Sequence, residues 1–478
     1  MLNIFDRPSI LILVVTLPLV VSLISPLKKL HRNFFYLISL MVPLINVALL
    51  MSTPAADTSI SLSRFFVFSI DQHARLYGIL VNVCWFLTIL YAVSYVRHHF
   101  QEKASIFHLY LSASVSIVLA AGFASNFFTL LLFYTASIPI AYPLITIREE
   151  TKSLQAGKIF LYSTLGPALL LVLPTVLLNF PLLENFHNYS IQSLGFNQLR
   201  ASLVLALLII GFSKNSVAPF HLWLSKTAVA PAPVCALVHS VGAVQTAIIA
   251  LIKIGLYVYG TDTLAELNDH FLETGWLTYL CGGTALYAAY RAYKTQDLKE
   301  RFSFSTVSQL SYIITAILIG TKKSILAAVL HMVTHSFGKM NLFFIAGLFT
   351  SVLGSSQVSV VSPWLKKHRL IAVAAAISGL SIAGFPLLAG YYSKDLMLIE
   401  ELHRHHYAAA LFLVSGSVMN LFYIWPILKT IVSPRDFSAA NTSHNKNGTI
   451  IMNTTIGICT AILIIFTKYV YIISRALE

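Results

Sequence analysis

The sequence predicts an all-α fold: a polytopic membrane bundle of about fourteen transmembrane helices, built as two inverted five-helix repeats with two broken helices. Three observations carry this. Of 478 residues, 57% are hydrophobic and 10% charged, with a mean hydropathy of +0.77, which exceeds what a soluble core of this size needs. Apolar runs of about twenty residues, enough to cross roughly 30 Å of hydrocarbon, recur from end to end. Two of these runs carry a helix breaker at mid-span beside an ionisable group: Lys214 with Pro219, and Gly379, Gly384 and Pro386 followed by Lys394.

Run length and breakers place spans near 8–27, 34–52, 75–96, 106–122, 126–147, 157–179, 201–224, 230–257, 275–293, 304–320, 325–350, 369–392, 408–432 and 449–472. The first run has no clear small-residue cleavage site and reads as a retained helix. Spans 201–224 and 369–392, the broken pair, lie five spans apart. Five is odd, so in an alternating topology they run in opposite directions, the mark of an inverted repeat. The resulting division is 1–105 for the N-terminal helices, 106–257 for the first repeat, 275–432 for the second, and 433–478 for a C-terminal span.

A formal charge of +14 would suggest nucleic acid in a soluble chain. Here the basic residues fall in short loops: Lys28 to Arg32, Arg97 to Lys103, Arg148 to Lys158, Lys294 to Arg301, and Lys366 to Arg369. Counted alternately, these loops share one side, whereas loops 53–74, 180–200 and 258–274 are poorer in Lys and Arg. By the positive-inside rule the basic loops face the cytoplasm and both termini face outward, as in a multi-pass protein of the bacterial inner membrane. Lys322-Lys323 is a minority exception. Cys84, Cys235, Cys281 and Cys459 are scattered, without a CxxC or a His/Cys cluster, so neither a metal site nor a disulfide framework is expected.

Four blocks carry candidate chemistry. Lys214 sits inside the run Leu-Ile-Ile-Gly-Phe-Ser-Lys214-Asn-Ser-Val-Ala-Pro219-Phe-His221, where an ammonium is costly unless it has a task, and His239 falls in the next span. The alternative is a snorkelling lysine and a core histidine, but Lys214 lies more than a dozen residues from the outer end of its span. The second block, His331-Met-Val-Thr-His335-Ser-Phe-Gly-Lys339, places three titratable groups on one helix face about 6 Å apart. Imidazoles at that spacing suit a proton relay, because each both donates and accepts. A zinc site would require a third ligand, which the block lacks. The third element is Lys394-Asp395, either membrane-embedded or an interfacial ion pair. The fourth runs from Asp297-Leu-Lys-Glu-Arg301, read as a cytoplasmic loop, into Ser305-Thr-Val-Ser308-Gln309-Leu-Ser-Tyr312, whose polar groups hold water or join helices.

In order, these blocks resemble the antiporter-like membrane subunits: the proton-channel subunits of respiratory complex I, of membrane-bound hydrogenases and of multisubunit Mrp-type cation/proton antiporters. The resemblance runs from about Asp71 to about residue 430. The Ser305–Tyr312 and His331–Lys339 blocks look most like the D-type antiporter subunit. The chain ends with its last span, so the long lateral helix of the L-type complex I subunit is not expected. The resemblance implies two inverted half-channels joined by a polar axis of Lys214, His239, His331, His335, Lys339 and Lys394. Asp71, Thr135, His221, Gln245 and Asp395 are the candidate supporting residues. At two positions the sequence departs from the pattern. Thr135 stands where relatives carry the glutamate that pairs with the first lysine, and Gln245 stands where many carry a lysine. Both departures weaken charge-driven coupling in the first half-channel, while the second keeps its residues.

The resemblance implies a chain that moves protons, or sodium, as one subunit of a monovalent cation/proton antiporter. Its partners would be other membrane subunits rather than nucleic acid. Two alternatives stand beside it. One is an energy-coupling subunit of an NADH-quinone oxidoreductase, a hydrogenase or an inorganic-carbon uptake complex. The other is a partly degenerate paralogue that acts as a scaffold. The sequence has no nucleotide motif, cofactor box or nucleophile–base pair, so no cofactor and no chemistry of its own are expected.

Overall fold

The computed structural model describes residues 6–26, 32–54, 59–269, 274–432 and 446–477. Lys28 to His31 of the first basic loop, and residues 433–445 of the expected C-terminal region, lie outside the described residues. The chain is helical almost throughout, and ten described helices are long and apolar enough to cross a membrane. The expected spans 201–224 and 369–392 appear as short apolar limbs, Gln198–Gly211 and Arg369–Ala383, each followed by a break. Those expected at 275–293 and 304–320 are the helices Trp276–Lys294 and Leu298–Leu318.

The chain folds as two compact units. The first comprises Met1–Ile89, Phe100–Asn215 and Val241–Gly260. In it the helix Ala104–Phe123 packs against Arg7–Ile24 and Phe127–Thr146. Apolar faces alone give helices little reason to associate in lipid, so polar side chains pin the contacts. Ser22 donates to the Leu109 carbonyl at 2.8 Å, and Asn46 donates to Asn82 Oδ1 at 3.0 Å. At one end a small hairpin pairs Ser59–Ser61 with Val67–Ser69, with Ile60 opposite Phe68. Backbone bonds from Ser125 to Val67 (2.9 Å), Phe186 to Ser125 (2.8 Å) and Ile191 to Val258 (2.9 Å) draw three loops together over that end.

The second unit comprises Leu90–His99, Ser216–Ser240 and Thr261–Glu478. Its centre is the 32-residue helix Lys322–Leu353, buried on nearly every side. A capping box between Thr321 and Ser324 starts this helix, and Gly354 ends it at φ 66°, a left-handed position that glycine takes without strain. Around it pack Leu298–Leu318, Arg369–Ala383, Ala389–His403 and Lys446–Leu477.

The first break runs from Phe212 to His221, between Gln198–Gly211 and Leu222–Lys226. It begins earlier than Pro219 alone would impose, because the chain tightens at once into a single turn over Ser213–Asn215. Ser216 then takes φ 61°, unusual for a residue with a side chain. The second break runs from Gly384, at φ 85°, to Leu388, with Leu387 at φ 71°. Each break therefore contains a non-glycine residue in the left-handed region, a conformation that clusters where structure serves function.

Candidate ion-translocation sites

In the first unit Lys214 is 1% exposed. The tight turn after Gly211 swings it onto the helix Phe127–Thr146, where Nζ donates to the Tyr134 carbonyl at 3.1 Å and to the Ser137 hydroxyl. The ammonium also lies 4.2 Å from the centre of the Tyr134 ring, and the Lys214 backbone N–H donates to the Tyr134 hydroxyl at 3.2 Å. Positions 134 and 137 share one helix face, so the cation is held by a carbonyl, a hydroxyl and a π-face, all neutral. Thr135 is turned a third of the way round the helix and is satisfied locally, its hydroxyl donating to Leu131 at 2.7 Å. Gln245 is fully buried, next to Thr246, whose hydroxyl lies 3.1 Å from that of Tyr77.

The same unit holds a charge pair in which sequence reasoning identified only one member. Asp71 is fully buried and its Oδ2 accepts from Lys253 at 3.1 Å. Lys253, 1% exposed at the end of the helix Val244–Lys253, was overlooked because it sits at the foot of an apolar run, where a lysine ordinarily snorkels.

In the second unit the helix Lys322–Leu353 carries His331, His335 and Lys339, all fully buried. His331 Nε2 lies 3.1 Å from Gln309 Oε1 and Nδ1 lies 2.9 Å from Ser393 Oγ. Ser393 also has the Gly390 carbonyl within 3.2 Å, so its single hydroxyl proton has two alternative acceptors. The adjacent Lys394 is 5% exposed and donates to Ser417 at 3.0 Å and to the Ala383 carbonyl at 3.3 Å, with the Tyr312 ring 5.1 Å away. Lys339 donates to the Phe302 carbonyl at 3.1 Å. His239 packs on Phe343 at 4.6 Å between ring centres, and both its nitrogens are buried without a hydrogen-bond partner among the described residues. The nitrogens of His221 are likewise unbonded among the described residues, its ring edge-on to Tyr287 at 5.2 Å.

Two expectations are corrected. Lys394 and Asp395 do not follow the broken helix but lie within its second limb, Ala389–His403, with Asp395 half-buried. Asp297 to Arg301 is not a loop either, because the Asp297 carboxylate accepts the Glu300 N–H at 3.0 Å and caps a helix that starts at Leu298. Lys299 and Arg301 are consequently buried, donating to the carbonyls of Ala230 at 2.7 Å and Tyr423 at 2.8 Å. Among the residues that sequence reasoning missed, Tyr134, Ser137 and Ser393 had no legible signal. Glu401, 2% exposed with Oε2 unbonded among the described residues, could have been found as an acid seven residues beyond Lys394 on one helix face.

The spans and their buried cations are those of an integral, multi-pass membrane protein. The profile of the family described as NADH:quinone oxidoreductase/Mrp antiporter, transmembrane, matches residues 124–420, more than half of the chain, and the chain belongs to this family. Subunit A1 of the Na(+)/H(+) antiporter from Staphylococcus aureus, in strains JH9 and Newman, is 27% identical over 459 residues, covering 89% of this chain and 55% of the relative. The chain thus spans about half the length of the curated relatives it matches. Those relatives are A-type, whereas the sequence blocks had suggested the D-type. Two solved structures share the fold. The archaeal membrane-bound sulfane sulfur reductase superposes with a TM-score of 0.80 at 17% identity, covering 97% of this chain and 95% of its own. The Mrp complex from Dietzia sp. DQ12-45-1b superposes with a TM-score of 0.79 at 15% identity, covering 98% and 95%.

Proposed function

We propose that this chain translocates protons, exchanged for sodium or another monovalent cation, as one membrane subunit of a multisubunit cation/proton antiporter. The observation that carries the reading is the buried line of His331, His335 and Lys339, flanked by Lys394 across Ser393 and by His239 across Phe343. Five buried basic groups in a protein of lipid are too costly to keep without a task. Imidazoles and amines with hydroxyl and amide neighbours can pass a proton by exchanging donor and acceptor roles. Lys214 supplies the same kind of group in the first unit, where the neutral ligands on Tyr134 and Ser137 stand in for the family's glutamate. Asp71, His221, Gln245 and Asp395 are assigned supporting roles, and Thr135 only the place of the absent acid.

The partners are other membrane subunits, in keeping with the assemblies named for the relatives and structural neighbours. The basic loops face the cytoplasm and the termini the outside of a bacterial plasma membrane. The test is proton and sodium flux in inside-out vesicles, with the chain co-expressed with its genomic neighbours. Lys214→Ala or His335→Ala abolishes flux if the reading holds. Equal flux in wild type and both variants assigns the chain to a scaffold role.

A further inference from the structure

Beneath the hairpin and loops that close one end of the first unit, titratable groups are graded from wet to buried. His187 is exposed, and its ring lies against Tyr257 with centres 4.0 Å apart. The Tyr257 hydroxyl is 3.5 Å from Nδ1 of His73, whose side chain is 25% exposed. The same Nδ1 is 3.9 Å from Oδ1 of Asp71, which is 0% exposed, and Asp71 Oδ2 holds Lys253 Nζ at 3.1 Å. Asp71 is fixed in place by the Ala74 N–H on Oδ1 (2.9 Å) and the Ser69 hydroxyl on Oδ2 (2.9 Å). Lys253 also donates to the Ala124 carbonyl at 2.9 Å. Arg75, one turn along, is directed to the Thr53 carbonyl at 2.9 Å.

A purely structural ion pair has no use for a half-wet imidazole poised between water and its carboxylate. We infer that Asp71, Lys253 and His73 form a proton-exchange port through which the first unit trades protons with the aqueous phase. This rests on the translocation reading above. His73 is the group that meets water, Asp71 the buried acceptor, and Lys253 the fixed charge that returns the proton. In the inward step protonated His73 turns through the short gap to Asp71; the Nδ1–H bond breaks, its electron pair stays on the ring, and an O–H bond forms on Oδ1. Asp71 becomes a neutral acid, and Lys253 is left with a net positive charge in a site closed to water. That uncompensated charge disfavours holding the proton there and favours passing it on or back. Tyr257 positions His73 by offering Nδ1 an alternative partner.

Two measurements on the complex co-expressed with its genomic neighbours test this. The first is labelling by a hydrophobic carbodiimide, read by peptide mass, because this reagent attacks a carboxyl only once it has taken up a proton. Asp71 labels in the folded wild type if the port exchanges protons; a permanently ionised clamp leaves it unlabelled and overturns the inference. The second is proton flux in vesicles. His73→Gln slows it on the order of tenfold, less than the roughly hundredfold of a fixed general acid because water can replace the ring. Asp71→Asn slows it further, and Tyr257→Phe slows it less than His73→Gln. Flux unmoved by both His73→Gln and Asp71→Asn also overturns the inference. Labelled Asp71 in a wild type without flux would support the port while removing the transport reading, so the two fail separately.

Discussion

The Lys214 ammonium lies 3.1 Å from the Tyr134 carbonyl oxygen, so a buried cation rests on a neutral dipole. Charge-assisted hydrogen bonds of this kind contribute about 1.5–3 kcal/mol each, and removing one leaves desolvated charge behind. Ser137→Ala deletes the hydroxyl ligand without changing the helix. The expected outcome is a melting temperature lower by several degrees in detergent, with flux reduced about tenfold, since 1.4 kcal/mol corresponds to a factor of ten. An unchanged melting temperature would remove Ser137 from the site.

Thr135 bonds only its own helix, through the Leu131 carbonyl at 2.7 Å, so its side chain is free to be replaced. A glutamate there carries its oxygens two bonds farther from the backbone and starts one residue from the atoms that hold Lys214. Thr135→Glu is expected to raise proton flux, because an ion pair lets Lys214 cycle between charged and neutral forms by pairing and unpairing. No gain in a correctly inserted variant would mean that Lys214 works by a neutral cage and has no place for a counter-ion.

Ser393 chooses between His331 Nδ1 at 2.9 Å and the Gly390 carbonyl at 3.2 Å. A hydroxyl with two acceptors can reorient as a proton passes, whereas alanine cannot. Ser393→Ala is expected to cut flux about tenfold or more while the helix Ala389–His403 keeps its place, since a relay group typically contributes roughly a hundredfold. Ser393→Thr keeps the hydroxyl and restores most of the flux. Equal loss in both variants would point to packing instead.

The fold was legible because its cause is repetitive: apolar runs of membrane length, with breakers where they end. Lys214, His331, His335 and Lys339 were legible for the same reason, since each violates the composition around it. What could not be read was local capping and distant pairing. Asp297 caps a helix that begins at Leu298, four residues after Lys294 ends the one before, and that buries Lys299 and Arg301, which composition alone assigns to a loop. The Asp71–Lys253 pair joins residues 182 positions apart by number, and neither side chain signals the other in sequence. The same holds for Ser393 and His331.

His406, in the connection before the helix Tyr407–Val432, tests an electrostatic balance outside the spans. Its Nε2 is 2.9 Å from Asp269 and its Nδ1 is 3.3 Å from Asn268, with Arg404 also on Asp269. Burial holds the imidazole below its ordinary value of 6.5, against the opposing hydrogen bond and charge of Asp269, with Arg404 and His405 adding to the depression. A depressed histidine is neutral in the folded state and takes a proton more readily when unfolded. Its contribution to stability is therefore present above pH 6.5 and lost as pH falls below it. Hydrogen exchange in Thr261–Asp269, corrected for intrinsic rate, is expected to speed up as pH is lowered from about 7 to about 5. His406→Asn flattens that response. Protection that grows on acidification would show Asp269 to be the stronger influence.

Glu400 and Glu401 are adjacent, both buried, and oppositely employed. Glu400 accepts from Thr321 Oγ1 at 2.5 Å, the same hydroxyl that receives the Ser324 N–H and caps the helix Lys322–Leu353. Glu401 Oε2 has no hydrogen-bond partner among the described residues. An unsatisfied buried polar group costs about 1–3 kcal/mol, whereas an apolar replacement of similar shape is neutral or stabilising. Glu400→Leu should therefore lower the melting temperature by stripping the cap of its acceptor, and Glu401→Leu should hold or raise it. Flux separates the two in the opposite sense. Glu401 lies two turns beyond Lys394 on the same helix face, where a carboxylate extends the row of groups that can carry a proton, so Glu401→Leu is expected to be the stable variant that transports poorly. A Glu401→Leu protein that is both stable and fully active would leave this carboxylate without a part in translocation.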